Sequence, residues 1–252
     1  MSLSLFDLTG RRALVTGSSQ GIGLALASGL AQAGASIVLN GRDPDKLARV
    51  AAQLPAVVDV LSFDVTDHDA TRQAIDGYEA QKGAIDILVN NAGMQHRSPL
   101  EDFPQEAFEQ LLKTNISSVF NVGQAVARHM LKRGRGKIIN IASVQTALAR
   151  PSIAPYTATK GAVGNLTKGM ATDWARHGLQ CNAIAPGYFD TPLNAALVGD
   201  PAFSAWLEKR TPAGRWGKVE ELVGACIFLA SEASSFVNGH ILYVDGGITA
   251  SL

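Results

Sequence analysis

From residue 12 to residue 244 the chain alternates short apolar or β-branched runs with longer amphipathic ones. The pattern predicts strands at 12–16, 36–40, 57–62, 85–89, 137–141, 180–184 and 240–244. It predicts helices at 21–33, 44–54, 66–81, 155–177 and 219–230, and one long or two abutting helices over 104–131. Strand-helix alternation of this kind implies a parallel sheet with helices on both faces. Several strands are apolar on both faces, as a doubly covered sheet requires. The fold class expected is therefore α/β: a Rossmann-type, doubly wound parallel sheet in three layers, forming one domain over 1–252. The least regular stretch is 186–217, with four prolines and a short helix near 203–209. Irregular segments of that length in such folds serve as lids or binding loops.

Bulk properties exclude several classes. Apolar residues make up 46% of 252 and charged residues 17%, which is globular rather than disordered. Lysine plus arginine balances aspartate plus glutamate at 22 each, so no basic nucleic-acid footprint exists and no broad attraction to anionic membranes is expected. Cys181 and Cys226 are too far apart for a CxxC pair and read as small core residues; no metal site is expected. Residues 1–14 lack a charged-then-apolar leader, and no apolar run is long enough for a membrane span. Cytoplasmic location is the expectation.

The first strand runs into Thr16-Gly17-Ser18-Ser19-Gln20-Gly21-Ile22-Gly23. A glycine cluster alone is a weak signal, since glycines also serve plain turns. Here it follows a strand, opens a helix and lies in the first βα unit, where backbone amides meet a pyrophosphate. Gly17 through Gly23 are thus candidate cofactor-binding residues.

The second strand ends at Asn40-Gly41-Arg42, without the acidic residue that binds a ribose 2′-hydroxyl. A guanidinium there suits a 2′-phosphate, which favours NADP over NAD as the better cofactor. The alternative is that Arg42 lies idle in solvent and Asp43 takes the ribose, although Asp43 before Pro44 also reads as a helix cap. Asp64 and Val65 follow the third strand, and Asn90, Asn91, Ala92 and Gly93 the fourth. Both groups can line a cofactor crevice or serve as turn chemistry. Pro186-Gly187 ends a later strand, where it can steer the chain past a nicotinamide; Thr191 follows it.

Tyr156 and Lys160 are four apart on a helix and share a face. A phenol titrates near 10, too high for a base at neutral pH, and an adjacent ammonium favours the phenolate. Ser143 follows the 137–141 strand at the same sheet edge as the glycine turn, where it can hold a reacting oxygen. Asn115 is a polar amide in an apolar helix and needs partners, which a water relay toward Lys160 would supply.

These residues together resemble the short-chain dehydrogenase/reductase family over the whole chain. The resemblance implies a tetrad: Tyr156 as general acid/base, Ser143 orienting the substrate oxygen, Lys160 on the nicotinamide ribose, and Asn115 holding a water linked to Lys160. It also implies a homotetramer packed through the helices around Asn115 and Tyr156 and through the C-terminal segment. Three stretches, 90–97, 141–151 and 188–195, are similar to members of the family that act on a sugar acid. They imply NADP-linked interconversion of D-gluconate and 5-dehydro-D-gluconate.

A sugar acid needs a cation for its carboxylate, and Arg97 or Arg150 could supply it, with Arg97 preferred. Gln145, His96 and Tyr188 are candidates for its hydroxyls. Either arginine could instead be a solvated surface residue. The rival activity is reduction of 3-oxoacyl groups on a carrier protein, or of another carbonyl by NADPH. It shares the core motifs and would need a basic docking surface, for which Arg128, Lys132, Arg133 and Arg135 are candidates. A silent NADP-binding sensor is a third reading, which the filled tetrad disfavours.

Overall fold

The computed structural model describes residues 4–252; Met1 to Leu3, part of the stretch read for a leader, lie outside it. Seven strands form one parallel sheet in the order β3-β2-β1-β4-β5-β6-β7. They are β1 (Arg12–Val15), β2 (Ser36–Leu39), β3 (Val58–Val60), β4 (Ile87–Asn90), β5 (Gly136–Ile141), β6 (Leu179–Pro186) and β7 (Ile241–Val244). The helices are α1 (Gly21–Gln32), α2 (Pro44–Ala51), α3 (His68–Lys82), α4 (Gln105–Leu112), α5 (Ser118–Arg133), α6 (Ala154–Trp174), α7 (Ala195–Val198), α8 (Pro201–Arg210) and α9 (Val223–Ala230).

Successive strand residues point to opposite faces, so each strand feeds two cores. Leu14, Leu88 and Ile138 pack into a cluster with Val119, Val122 and Val163 of α5 and α6. Their neighbours Val15, Val89 and Ile139 pack on the other face with Leu26, Leu47 and Leu229 of α1, α2 and α9. Fully burying one such leucine is worth about 1.5–3 kcal/mol, which is why both layers hold without a crosslink. Cys181 and Cys226 are both free thiols in these cores, and burial pushes each up to about 12.

α2 and α3 start at side-chain caps. The Asp43 carboxylate accepts from the Lys46 amide at 2.9 Å and Asp67 from the Ala70 amide at 2.9 Å. Asp67 thus starts α3 two residues later than the 66–81 pattern predicts. α1 differs: its first turn has no side-chain cap.

Other segments differ in extent or geometry, among them the strand read at 57–62, which spans Val58–Val60, and the helix read at 219–230, which opens with a 3-10 turn at Val219–Leu222. β4 begins at Ile87, not 85, because Ile85 and Asp86 bond to Glu79 and Arg12 before the ladder with β5 starts. The 104–131 region is one rod in which Lys113–Ser117 is π-helical between α4 and α5. The irregular 186–217 segment is more helical than expected, with Pro192–Asn194 in a 3-10 turn followed by α7 and α8. Among the described residues no helix is long and apolar enough to cross a membrane.

Strand order reverses between β1 and β4, with β2 and β3 on one side and β5 to β7 on the other. At such a switch point the loops leaving the carboxyl ends part and open a crevice.

Candidate active site

A cleft of about 970 Å³ occupies that crevice. At one end lie Gly17, Ser19, Gln20, Gly21, Ile22 and Gly23, beside Arg42, Asp64 and Val65. At the other lie Ser143, Gln145, Tyr156, Lys160 and Tyr188, with Asn91, Ala92, Gly93, Pro186, Gly187 and Thr191 between.

The glycine turn is shaped before any ligand arrives. Gly17 has φ +61, and a Cβ there would come within 2.9 Å of Ala92 Cα. The Asn91 side-chain amide donates to the carbonyls of Thr16 and Gly17 at 2.9 and 3.1 Å. The Thr16 hydroxyl accepts from the Asn91 and Ala92 amides at 3.0 and 3.1 Å. The uncapped start of α1 then faces the cleft with free amides and the positive end of the helix dipole. Uncapped amides in a preshaped glycine turn fit a dinucleotide pyrophosphate.

Ser18 departs from its predicted place. It is fully buried and does not line the cleft. Its hydroxyl accepts from the Asn40 amide at 3.0 Å, tying the turn to the end of β2. That bond sets where Arg42 begins its reach. Arg42 is exposed, lines the cleft and has no ion-pair partner among the described residues. Asp43 is occupied in capping α2. Asp64 accepts from the amide and hydroxyl of Thr66 through Oδ1, at 2.9 and 2.8 Å, while Oδ2 bonds nothing among the described residues.

At the other end, α6 brings Tyr156 and Lys160 under the cleft. The Lys160 ammonium donates to the Ile141 carbonyl at 2.7 Å and sits 5.7 Å from the Tyr156 ring centre. Burial lowers Lys160 to about 8. Burial raises Tyr156 to about 12, the Ser143 hydroxyl beside it pulling the other way. In the protein without cofactor, desolvation of the phenol outweighs its neighbours. The Ser143 hydroxyl accepts from the Gln145 amide at 3.2 Å.

Asn115 is buried behind the cleft wall rather than in it. Its oxygen accepts from the Met94 amide at 2.9 Å, and its nitrogen donates to the Met94 carbonyl and the Thr159 hydroxyl at 3.0 and 3.1 Å. The side chain is satisfied by these partners. It sits in the π-helical stretch, a distortion that recurs at functional sites.

Arg97 and Arg150 both line the cleft near Tyr156. Burial, then repulsion from Arg150, lowers Arg97. His96 is absent from the lining; its ring packs edge-on against Phe103 at 5.1 Å. Sequence reasoning missed Lys113, Glu106 and Glu109, which reach the cleft from the rod, and Asn194 and Leu197. Asn194 was within reach of inference, lying three residues past Thr191.

A family model described as enoyl-(acyl carrier protein) reductase matches residues 17–249. The chain belongs to the short-chain dehydrogenase/reductase family. It is 62% identical over 251 residues to gluconate 5-dehydrogenase of Gluconobacter oxydans (strain 621H), covering 98% of each chain. It is 48% identical to 5-keto-D-gluconate 5-reductase of Escherichia coli (strain K12), covering 98% of this chain and 99% of that one. It superposes with a TM-score of 0.97 on the crystal structure of a gluconate 5-dehydrogenase from Burkholderia cenocepacia J2315 in complex with NADP and tartrate, 60% identical, with both chains fully covered.

Proposed function

We propose that this chain is an NADP-dependent dehydrogenase/reductase that interconverts D-gluconate and 5-dehydro-D-gluconate. The observation that carries the reading is a single cleft holding the uncapped glycine turn at one end and Ser143, Tyr156 and Lys160 at the other. The relatives' activities supply the substrate.

The amides of Ser19 to Gly23 would hold the pyrophosphate and Arg42 the 2′-phosphate, with NAD the weaker cofactor. Asp64 Oδ2 and Val65 lie toward the adenine. Asn91, Ala92, Gly93, Pro186, Gly187 and Thr191 line the path to the nicotinamide, which supplies the hydride acceptor and, when oxidised, a positive charge. Tyr156 moves the proton of the reacting hydroxyl, and Ser143 holds that oxygen as charge develops. Lys160 binds the nicotinamide ribose and favours the phenolate, together with the cofactor's charge. Asn115, its side chain pinned to Met94 and Thr159, holds the water that links Lys160 to solvent. Arg97 receives the carboxylate, and Gln145 and Tyr188 meet hydroxyls. The chain works as one domain over 1–252, in a cytoplasmic homotetramer.

The test is NADP reduction followed at 340 nm with D-gluconate, against NADPH oxidation with an acetoacetyl thioester. Turnover of the first and not the second is expected; the reverse would transfer the assignment to the carrier-protein reductases.

A further inference from the structure

Two guanidiniums enter the substrate end of the cleft without an anion. Neither Arg97 nor Arg150 forms an ion pair among the described residues, and the Nε of each is buried without a partner. Beside them Gln145 is 6% exposed and donates weakly to the Tyr188 hydroxyl at 3.5 Å, while its Oε1 is buried with nothing to accept. Unpaired cations and an orphaned acceptor in one cleft are costly unless a ligand completes them. The missing ligand carries a negative group for the arginines and a hydroxyl for Gln145.

The two arginines sit on different loops that are held together. The Ser98 amide, next to Arg97, donates to the Ser152 carbonyl at 3.1 Å. Ser152, two residues past Arg150, is the non-glycine residue with left-handed backbone among the described residues, φ +66. Strained backbone of this kind persists where surroundings enforce it.

Each arginine also reaches one part of the 186–217 segment. Arg97 Nη2 donates to Asn194 Oδ1 at 3.4 Å, in the 3-10 turn before α7. The Arg150 guanidinium stacks over the Phe203 ring of α8, 5.4 Å from its centre. Phe203 belongs to an aromatic group with Tyr188, Trp206 and Trp216, ring centres 5.2–6.1 Å from its own.

We infer that Arg97 and Arg150 form a two-armed clamp for the carboxylate of a polyhydroxy acid, and that Arg150 ties its occupancy to the seating of α8 through Phe203. This rests on the sugar-acid reading above and deepens it. An anion between the arms relieves the repulsion between the two cations. It also fixes both guanidinium planes, and with them Asn194 and Phe203. A neutral polyol leaves the two cations without a counter-charge. Arg150 is in this sense a specificity-determining residue, and Phe203 a positioning residue that acts through it.

The test uses the full chain with D-gluconate as probe, in Arg150→Gln, Arg150→Lys and Phe203→Leu variants. KM for gluconate and for NADP are measured, and gluconate is titrated against tryptophan fluorescence, to which Trp206 and Trp216 contribute. Arg150→Gln should raise KM for gluconate by about 10- to 100-fold, the loss of charge-assisted bonds, with a much smaller change in KM for NADP. Arg150→Lys should recover only part, since it restores charge without the planar fork. Phe203→Leu should raise KM by about two- to fivefold by removing the π face. The fluorescence half-saturation should move in parallel. If Arg150→Gln leaves both KM and half-saturation within twofold of the parent chain, the clamp is overturned. If the parent chain does not oxidise gluconate but binds it saturably, and Arg150→Gln weakens that binding, the clamp stands and the reaction assignment fails.

Discussion

Replacing Gly23 by alanine isolates what the phosphate turn demands of its third glycine. A Cβ at Gly23 would overlap the Asn91 side-chain nitrogen, come within 2.5 Å of the Gly17 carbonyl oxygen and 3.0 Å of Ser18 Cα. Two of these neighbours are backbone atoms, and Asn91 is held by its bonds to the Thr16 and Gly17 carbonyls. Overpacking of this kind costs about 1–3 kcal/mol. Losing two hydrogen bonds costs about 0.5–1.5 kcal/mol each. Alanine returns about 1 kcal/mol through helix propensity. The net expectation is a loss of about 3 kcal/mol in urea unfolding. NADP affinity, read by fluorescence titration, should weaken by at least about tenfold, because the amides of the turn must shift. Gly77→Ala in α3 supplies the baseline: nothing lies within 4 Å of its added Cβ, and it should stabilise by about 0.5–1 kcal/mol. If Gly23→Ala matches Gly77→Ala in stability and binds NADP as the parent does, the close approach inferred at this turn is wrong.

Tyr156→Phe should cut kcat by about 10²–10⁴-fold while NADP affinity stays within twofold; turnover near that of the parent would remove the phenol from its role. Arg42→Asp should lower the NADP-to-NAD ratio of kcat/KM by about 10- to 100-fold, and an unchanged ratio would remove Arg42 from the 2′-phosphate. Lys160 gives a pH signature in the protein without cofactor. Its proton is bound less tightly when folded, at about 8 against the ordinary 10.5. Between those values Lys160 holds its proton more in the unfolded chain, so its own contribution to unfolding free energy should rise with pH, by on the order of 1–3 kcal/mol, read as the difference between the parent and Lys160→Met. Below pH 8 that penalty is present in full. Lys160→Met should abolish the rise, and a pH profile identical in both proteins would refute the buried, depressed ammonium.

The elements that position the site are legible in the chain because their signals are local. Strand periodicity, the cap Asp43 and the four-residue step from Tyr156 to Lys160 each lie within one turn or one strand. What escaped depends on distant partners. Ser18 looks like a phosphate ligand until Asn40, 22 residues away, is seen to hold it. Asn115 reads as an amide in need of partners, and Met94 and Thr159 arrive from two other segments. His96 and Arg97 are adjacent, but Phe103 draws one ring out of the cleft. Apolar periodicity carries across Lys113–Ser117 without betraying the π-helical turn. The phenol's shift follows from burial, which no spacing rule contains.

The bonds from Ser18 to β2 and from Asn91 and Thr16 to β1 and β4 leave the glycine turn braced on both flanks. A braced turn loses little freedom when a dinucleotide settles on it, so the entropy of ordering there is already settled by folding. The opposite wall holds Arg97 against Asn194 and Arg150 against Phe203. One rim of the crevice is thus set by folding alone, so the same cofactor grip persists whatever side chains line the substrate rim.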